Sequence, residues 1–497
     1  MALIGRVLAP RHALDMPASA GCGKHAITIG LRRGPGTSRV GASPTMRAAW
    51  WRAMGLMGAL ASPAALAQPA PSGLPPTQAA EKSPVARLFG DWGGMVTTLG
   101  DMGIDIRADA VTEFAGNVSG GTRQGATFAN QLGLSADINW ERLAGLTGFS
   151  THVIMVNRSG SNDSTLFGDN LLPVQEVYGS GGDAAVHLVS AYAQETLFDK
   201  GLDIAAGRMN VENDFASSPL FCNFMNNGLC GDPKALPGGD IGHSAYPDAV
   251  WAGRVQVRPV PDIMIETGIY EVTQGLYTDP FYRSGFKFDT AKDSGVYLPA
   301  EADWEPTFGV AALPGHYKLG FGYDTSGGYA DFGNILAQQA VPGYRTQDRT
   351  GNTQIWALAD QMLMRNGTGD TAGLIGLAGF VHNDPNNSAY AEQYYAGLTD
   401  HGFWHMRPKD GMGLLVLYNT ISGRLGNVQA VEQALALPLG NNATGIQTHE
   451  MIVEANYDIQ LYRGIHFQPD VQYVVRPNAQ RSIKDAAVFG FKLHVQL

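Results

Sequence analysis

The chain has 497 residues, 44% of them hydrophobic and only 16% charged, with a formal net charge of −11. Soluble domains carry roughly 25% charge, and no run of 18 apolar residues offers a membrane helix. What remains open is a strand-crossing membrane protein, while the acidic balance argues against nucleic acid as a partner.

Residues 1–45 are rich in Gly, Arg, Ala and Pro without any period and read as an over-extended gene start. Residues 46–67 then read as a secretory signal peptide. Arg47 and Arg52 form the basic region, Ala53 to Leu60 the apolar core, and Ala65-Leu66-Ala67 the cleavage site before Gln68. The first 67 residues hold eight of the basic residues and one acid, so the mature chain has 26 basic and 44 acidic residues, net −18. Residues 68–103 are a periplasmic lead. Its "RLFGDWGGMVTTLGDMGI" can hold one short helix.

From residue 104 strand-like segments follow one another to the end, and sixteen are expected. They lie near 104–116, 127–141, 147–158, 186–198, 201–209, 248–259, 263–273, 305–312, 316–325, 354–365, 372–382, 391–400, 411–422, 448–461, 465–476 and 486–497. In the first, Ile104, Ile106, Ala108 and Ala110 oppose Asp105, Arg107, Asp109 and Glu113. In the sixth, Trp251, Val255 and Val257 oppose Arg254, Gln256 and Arg258. Such period-2 alternation gives each strand one apolar and one polar face. Short links ("RLAG", "DK", "VPD", "PG", "YRG") alternate with long ones such as 159–185, 210–247 and 423–447. Short turns at one rim and long loops at the other are the layout of an outer-membrane barrel. The chain ends inside its last strand, "FGFKLHVQL", which is expected to close against the first and leave no free edge. The fold class is therefore all-β, a sixteen-stranded antiparallel transmembrane barrel over 104–497.

Cys222 and Cys230 close the short loop "CNFMNNGLC". In an exported chain this reads as a disulfide. A zinc site would need two further ligands, and His243 is the only histidine nearby. His401 and His405 stand four apart in "HGFWH", but Gly402 and the following "RPKD" place them at a turn, so no metal is expected. The sequon at Asn117 carries no weight in an exported bacterial chain. No phosphate loop and no nucleophile elbow is present, and neither an enzyme nor a cofactor is called for.

Several stretches in order resemble the carbohydrate-selective porins of the OprB family. They are "LFGDWGGM", "GIDIRADAVTEFAGNVSGG", "AGRMNVENDFASSPLFCNFMNNGLCG", "QGLYTDPFY", "LADQMLMR" and "FQPDVQYVVRP", spread over 87–497. The resemblance implies a sixteen-stranded porin of a Gram-negative outer membrane that passes glucose and related sugars by diffusion. Its partners would be small neutral sugars and outer-membrane lipid, with a homo-oligomer among the expected assemblies. The alternatives are a general non-selective porin, a barrel enzyme and a β-rich adhesin or lectin. A neutral solute is selected by fixed donors and acceptors at a narrow place, which Arg and carboxylates supply. The candidates are Arg107 and Glu113 on the first strand and Arg208, Glu212 and Asp214 where the fifth enters the cysteine loop. Arg254, Gln256 and Arg258 on the sixth strand and Glu266 on the seventh complete the set.

Overall fold

Most strand-forming stretches put apolar side chains on one face and polar ones on the other, so a sheet built from them needs an apolar surrounding on one face only. The computed structural model describes residues 87–177, 184–341, 348–367, 372–441 and 443–497. The expected gene start, signal peptide and the stretch 68–86 lie outside the described residues. The strands are β1 (Ile104–Ser119), β2 (Gly125–Asn139), β3 (Phe149–Gly160), β4 (His187–Leu197), β5 (Leu202–Met209), β6 (Val250–Val260), β7 (Ile263–Thr273), β8 (Asp293–Trp304) and the two-residue β9 (Thr307–Phe308). They continue as β10 (Leu313–Tyr329), β11 (Arg349–Arg365), β12 (Gly373–Asn383), β13 (Tyr390–His401), β14 (Gly411–Ile421), β15 (His449–Tyr462), β16 (Ile465–Val475) and β17 (Ala486–Gln496).

Sixteen long strands, all but β9, pair antiparallel with their neighbours, and β17 closes on β1 from Asp109↔Gln496 to Asn117↔Val488. The Leu497 N–H also donates to the Ala108 carbonyl. The edge of the last strand is thus paired with the first. Before β1, the lead contains a helix over Met95–Asp101, and the Asp91 side chain accepts from the Thr97 N–H in its first turn at 2.7 Å.

One strand differs from expectation. The eighth is Asp293–Trp304, and residues 305–312 are the turn that follows it, where Thr307–Phe308 pairs with Leu313–Pro314. Pro299 hid this strand, because proline removes a ladder donor and argues against a central position. Pro299 has no N–H to give, and it falls at a break in the ladder: the register with β7 runs from Ile263↔Trp304 to Thr267↔Ala300 and resumes at Tyr270↔Tyr297, while Thr267 Oγ1 donates to the Pro299 carbonyl at 2.9 Å. Pro314 and Gly315, expected as the turn, begin β10 instead.

The outer face carries Phe128, Leu132, Leu134, Ile265, Ile269, Leu319, Phe321, Leu414, Val471 and Phe489, all exposed. Aromatic clusters sit at both ends, Trp304–Phe308–Tyr317 at the short-turn rim and Tyr418–His449 at the long-loop rim. An apolar band flanked by aromatic girdles is how a barrel meets a bilayer. The buried apolar residues lie inside the wall, where they pack with a loop that folds inward.

Candidate pore constriction

The segment between β5 and β6 (residues 210–249) begins with Asn210 capping the short helix Val211–Asp214, its side chain accepting from the Asn213 N–H at 2.9 Å. The loop then turns into the barrel. Phe215, Phe221, Phe224, Met225, Leu229 and Leu236 are at most 1% exposed. Burying them favours insertion, but the loop backbone brings polar groups that must be satisfied. The wall supplies the partners. Glu301 accepts from the Ala216 N–H at 2.9 Å, and Glu454 from the Met225 and Asn226 N–H groups at 2.6 and 3.2 Å. Gln393 accepts from the Ala235 N–H at 2.7 Å, while Gln354 and Asn383 donate to the Leu236 and Ala235 carbonyls at 2.7 Å each. Cys222 and Cys230 are joined, and Lys492 donates to the Cys222 carbonyl at 3.0 Å. A second loop, after β3, also enters: Glu113 accepts from the Val177 N–H at 3.1 Å and Tyr390 donates to the Leu171 carbonyl at 2.9 Å.

The residues singled out in the sequence fall into four places. Arg254 spans from the wall to the loop, donating to Asp214 at 2.6 Å and to Asp203 on β5 at 3.0 Å. Tyr270 donates to the other oxygen of Asp214 at 2.6 Å. Gln256 lies opposite Asp203 and Glu266 in register and contacts the Met264 sulfur. Glu266 is buried beside the group formed by Glu301, Asp303 and Lys318, in which Lys318 bridges both acids at 3.1 and 3.2 Å. Arg254, Asp214, Gln256 and Glu266 are thus brought together on one side of the lumen.

Arg258 and Arg107 stand at the short-turn rim. Arg258 forks onto Glu305 at 2.7 and 3.0 Å, and Arg107 bridges Asp105 and Asp137 at 2.7 and 3.0 Å. Glu113 and Glu212 hold loops. Glu212 accepts from the Tyr246 N–H at 2.8 Å, and burial, reinforced by the nearby Asp232, pushes its carboxyl up to about 8.

Arg208 does not face the lumen. On β5 the inward positions are Asp203, Ala205 and Gly207, which leaves Arg208 on the opposite face, paired in register with the outward Trp251. Its guanidinium is 5.5 Å from the Trp251 ring and 5.8 Å from that of Phe288 and bridges Glu271 at 3.5 Å. The segment after β7 folds back over the outer wall there, so this charge is covered by protein on the lipid side.

Sequence reasoning passed over four residues beside a crevice between the inserted loop and β10, β11 and β13. These are Ser218, His316, Lys318 and Asp360, with Phe221 and Tyr395 as its apolar lining. His316 and Asp360 are 2.5 Å apart, and Ser218 donates to Asp360 at 3.2 Å. Lys318 was legible as the polar member between Tyr317 and Leu319, but its proximity to the loop was not.

Residues 123–497 match the family model described as carbohydrate-selective porin, OprB family. The chain belongs to that family. It is similar to Porin B of Pseudomonas aeruginosa, 28% identical over 426 residues that cover 82% of this chain and 90% of the relative. It is also similar to a putative porin, QuiX, of Acinetobacter baylyi, 27% identical over 422 residues covering 82% and 92%. Among solved structures, OprB of Pseudomonas putida at high pH superposes with a TM-score of 0.76 at 26% identity, covering 84% of this chain and 99% of that one. The barrel is therefore an outer-membrane channel for carbohydrates and not an enzyme. In such barrels the short turns face the periplasm and the long loops the exterior.

Proposed function

We propose that small neutral sugars of the glucose type pass between the inserted loop and the wall formed by β5 to β11. Arg254, Gln256, Glu266 and Lys318 give the hydrogen bonds. The observation that carries this reading is the Arg254 fork, which ties Asp203 on the wall to Asp214 on the loop and fixes the gap between them. Around it, Arg254 Nε, Glu266 Oε1 and Asp303 Oδ1 have no hydrogen-bond partner among the described residues. A sugar hydroxyl both donates and accepts, so it can use such groups, whereas an apolar solute cannot. Along the strands the inward acids Asp105, Asp109, Glu113, Asp137, Asp203, Glu266, Glu301, Asp303, Asp324, Asp360, Glu454 and Asp470 outnumber the inward cations Arg107, Arg158, Arg254, Arg258, Lys318 and Lys492. That excess disfavours anions while leaving a neutral sugar unopposed. Transport is downhill diffusion, with no proton or phosphate chemistry.

Liposome swelling with glucose, gluconate and a neutral amino acid of similar size tests the proposal. Glucose is expected to enter fastest; equal rates for all three leave a general porin. We also propose that residues 46–67 direct export. Sequencing of the mature N-terminus is expected to begin at Gln68, and a retained Met46 contradicts it.

A further inference from the structure

We propose that the extracellular rim over β14–β17 and β1–β2 binds the phosphate-bearing headgroup of an outer-leaflet glycolipid. This rests on the outer-membrane placement of the barrel and not on its solute preference. The loops joining β1 to β2 (120–124) and β16 to β17 (476–485) hold four cations, Arg123, Arg476, Arg481 and Lys484, against one acid, Asp485. Among the described residues none of the four cations pairs its side chain with a carboxylate. The Arg476 guanidinium meets only neutral neighbours, donating to His449 Nδ1 at 3.2 Å and Thr448 Oγ1 at 3.4 Å, and Asp485 is engaged instead by the Arg476 N–H. Arg481 lies close enough for its charge to act on the same His449 ring. The two loops are joined, because the Gly121 N–H donates to the Lys484 carbonyl at 2.8 Å.

The backbone that carries Arg476 is held in place rather than left as a mobile tip. Arg476, Asn478 and Ala479 adopt left-handed φ of 56°, 56° and 57°, a conformation that persists only where surroundings enforce it. Here the Asn478 and Ala479 N–H groups donate to the buried Asp169 and Glu450 at 3.2 and 3.3 Å. Below the cations the wall faces outward with Tyr418, its ring 5.2 Å from His449, and with the exposed Val471, Tyr473 and Phe489. Cations above and an apolar, aromatic wall below match a lipid with phosphates at its head and acyl chains beneath. In a chain otherwise rich in acid, an unpaired cationic arc at headgroup height is complementary to that leaflet and to little else on the barrel.

The test uses the full mature barrel in detergent and native mass spectrometry. The probes are bisphosphorylated lipid A, the same lipid without phosphates, and inorganic phosphate as competitor. Wild type is expected to retain a lipid A adduct that the phosphate-free lipid does not form. R476A/R481A/K484A is expected to weaken retention about a hundredfold, from three cations at roughly 1 kcal/mol each. K287A, which removes a cation paired with Asp289 at the same rim, is expected to change nothing. Equal retention of both lipids, unchanged retention in the triple variant, or displacement by millimolar phosphate would each overturn the proposal. Heat-modifiable migration verifies that the variant is folded. Its sugar-driven swelling is expected to match wild type, which separates failure here from failure of the channel reading.

Discussion

Replacing Arg254 by Ala removes the one side chain that holds the wall carboxylate Asp203 and the loop carboxylate Asp214 together. Each lost bond is charge-assisted and contributes about 1.5–3 kcal/mol, giving roughly 3–6 kcal/mol for the two. The lower end applies, because the carboxylates keep other partners. Asp203 retains Gln194 at 2.6 Å and Thr196 at 2.8 Å, and Asp214 retains the Tyr270 hydroxyl. A closed barrel does not unfold for about 3 kcal/mol, so the cost falls on the docking of the loop. At about 1.4 kcal/mol per decade, the Ala216 amide is expected to exchange roughly 100-fold faster in R254A. That amide donates to Glu301 on β8, a bond from loop to wall that holds only while the loop is docked. R254K keeps the charge but not the fork and is expected to fall between. Sugar preference in swelling assays is expected to decline in the same order. Unchanged exchange together with unchanged preference in R254A would refute the claim that this fork sets the gap.

Glu454→Ala strips the acceptor from two buried N–H groups and is expected to cost about 2–6 kcal/mol of loop docking, raising single-channel conductance, whereas E454Q keeps an acceptor and is expected to stay near wild type. Serine at both Cys222 and Cys230 is expected to remove about 2.5 kcal/mol of loop constraint on the chain-entropy model, seen as faster cleavage of segment 220–232 by an external protease without loss of the heat-modifiable barrel. Glu212 has a carboxyl raised by burial to about 8. A raised folded value contributes stability below the unfolded pKa and loses it as pH climbs through the folded one. Exchange of the Tyr246 amide, corrected for its intrinsic pH dependence, is therefore expected to quicken as pH rises from about 5 to about 8 and to level off above that in wild type, but not in E212Q.

The barrel itself was legible because its signal is local: period-2 alternation and short turns can be read one strand at a time. The sequence reading failed where alternation lost contrast. In β8, Pro299 and the small Ala300 and Ala302 blur both faces. In β5, Ala205, Ala206 and Gly207 give neither face an identity, so the charge of Arg208 alone pointed it inward. The structure places it outward because Glu271 neutralises it and Phe288 covers it. The inserted loop was illegible for a different reason. Its anchors join residues as far apart as Asn226 and Gln472, 246 positions in sequence, and no local period carries such a pairing. Thus Glu113 and Glu212 looked like lumen charges but hold loop backbone, and Ser218, His316 and Asp360 gave no sign that a loop would lie against them.

The most direct test of the channel reading is the swelling rate of liposomes containing the purified mature barrel, measured with glucose and with a neutral amino acid of similar size at equal osmolarity. Faster entry of glucose in wild type, with the difference reduced in R254A, is the expected result. Equal entry of the two solutes in wild type would contradict selection by the Arg254 wall.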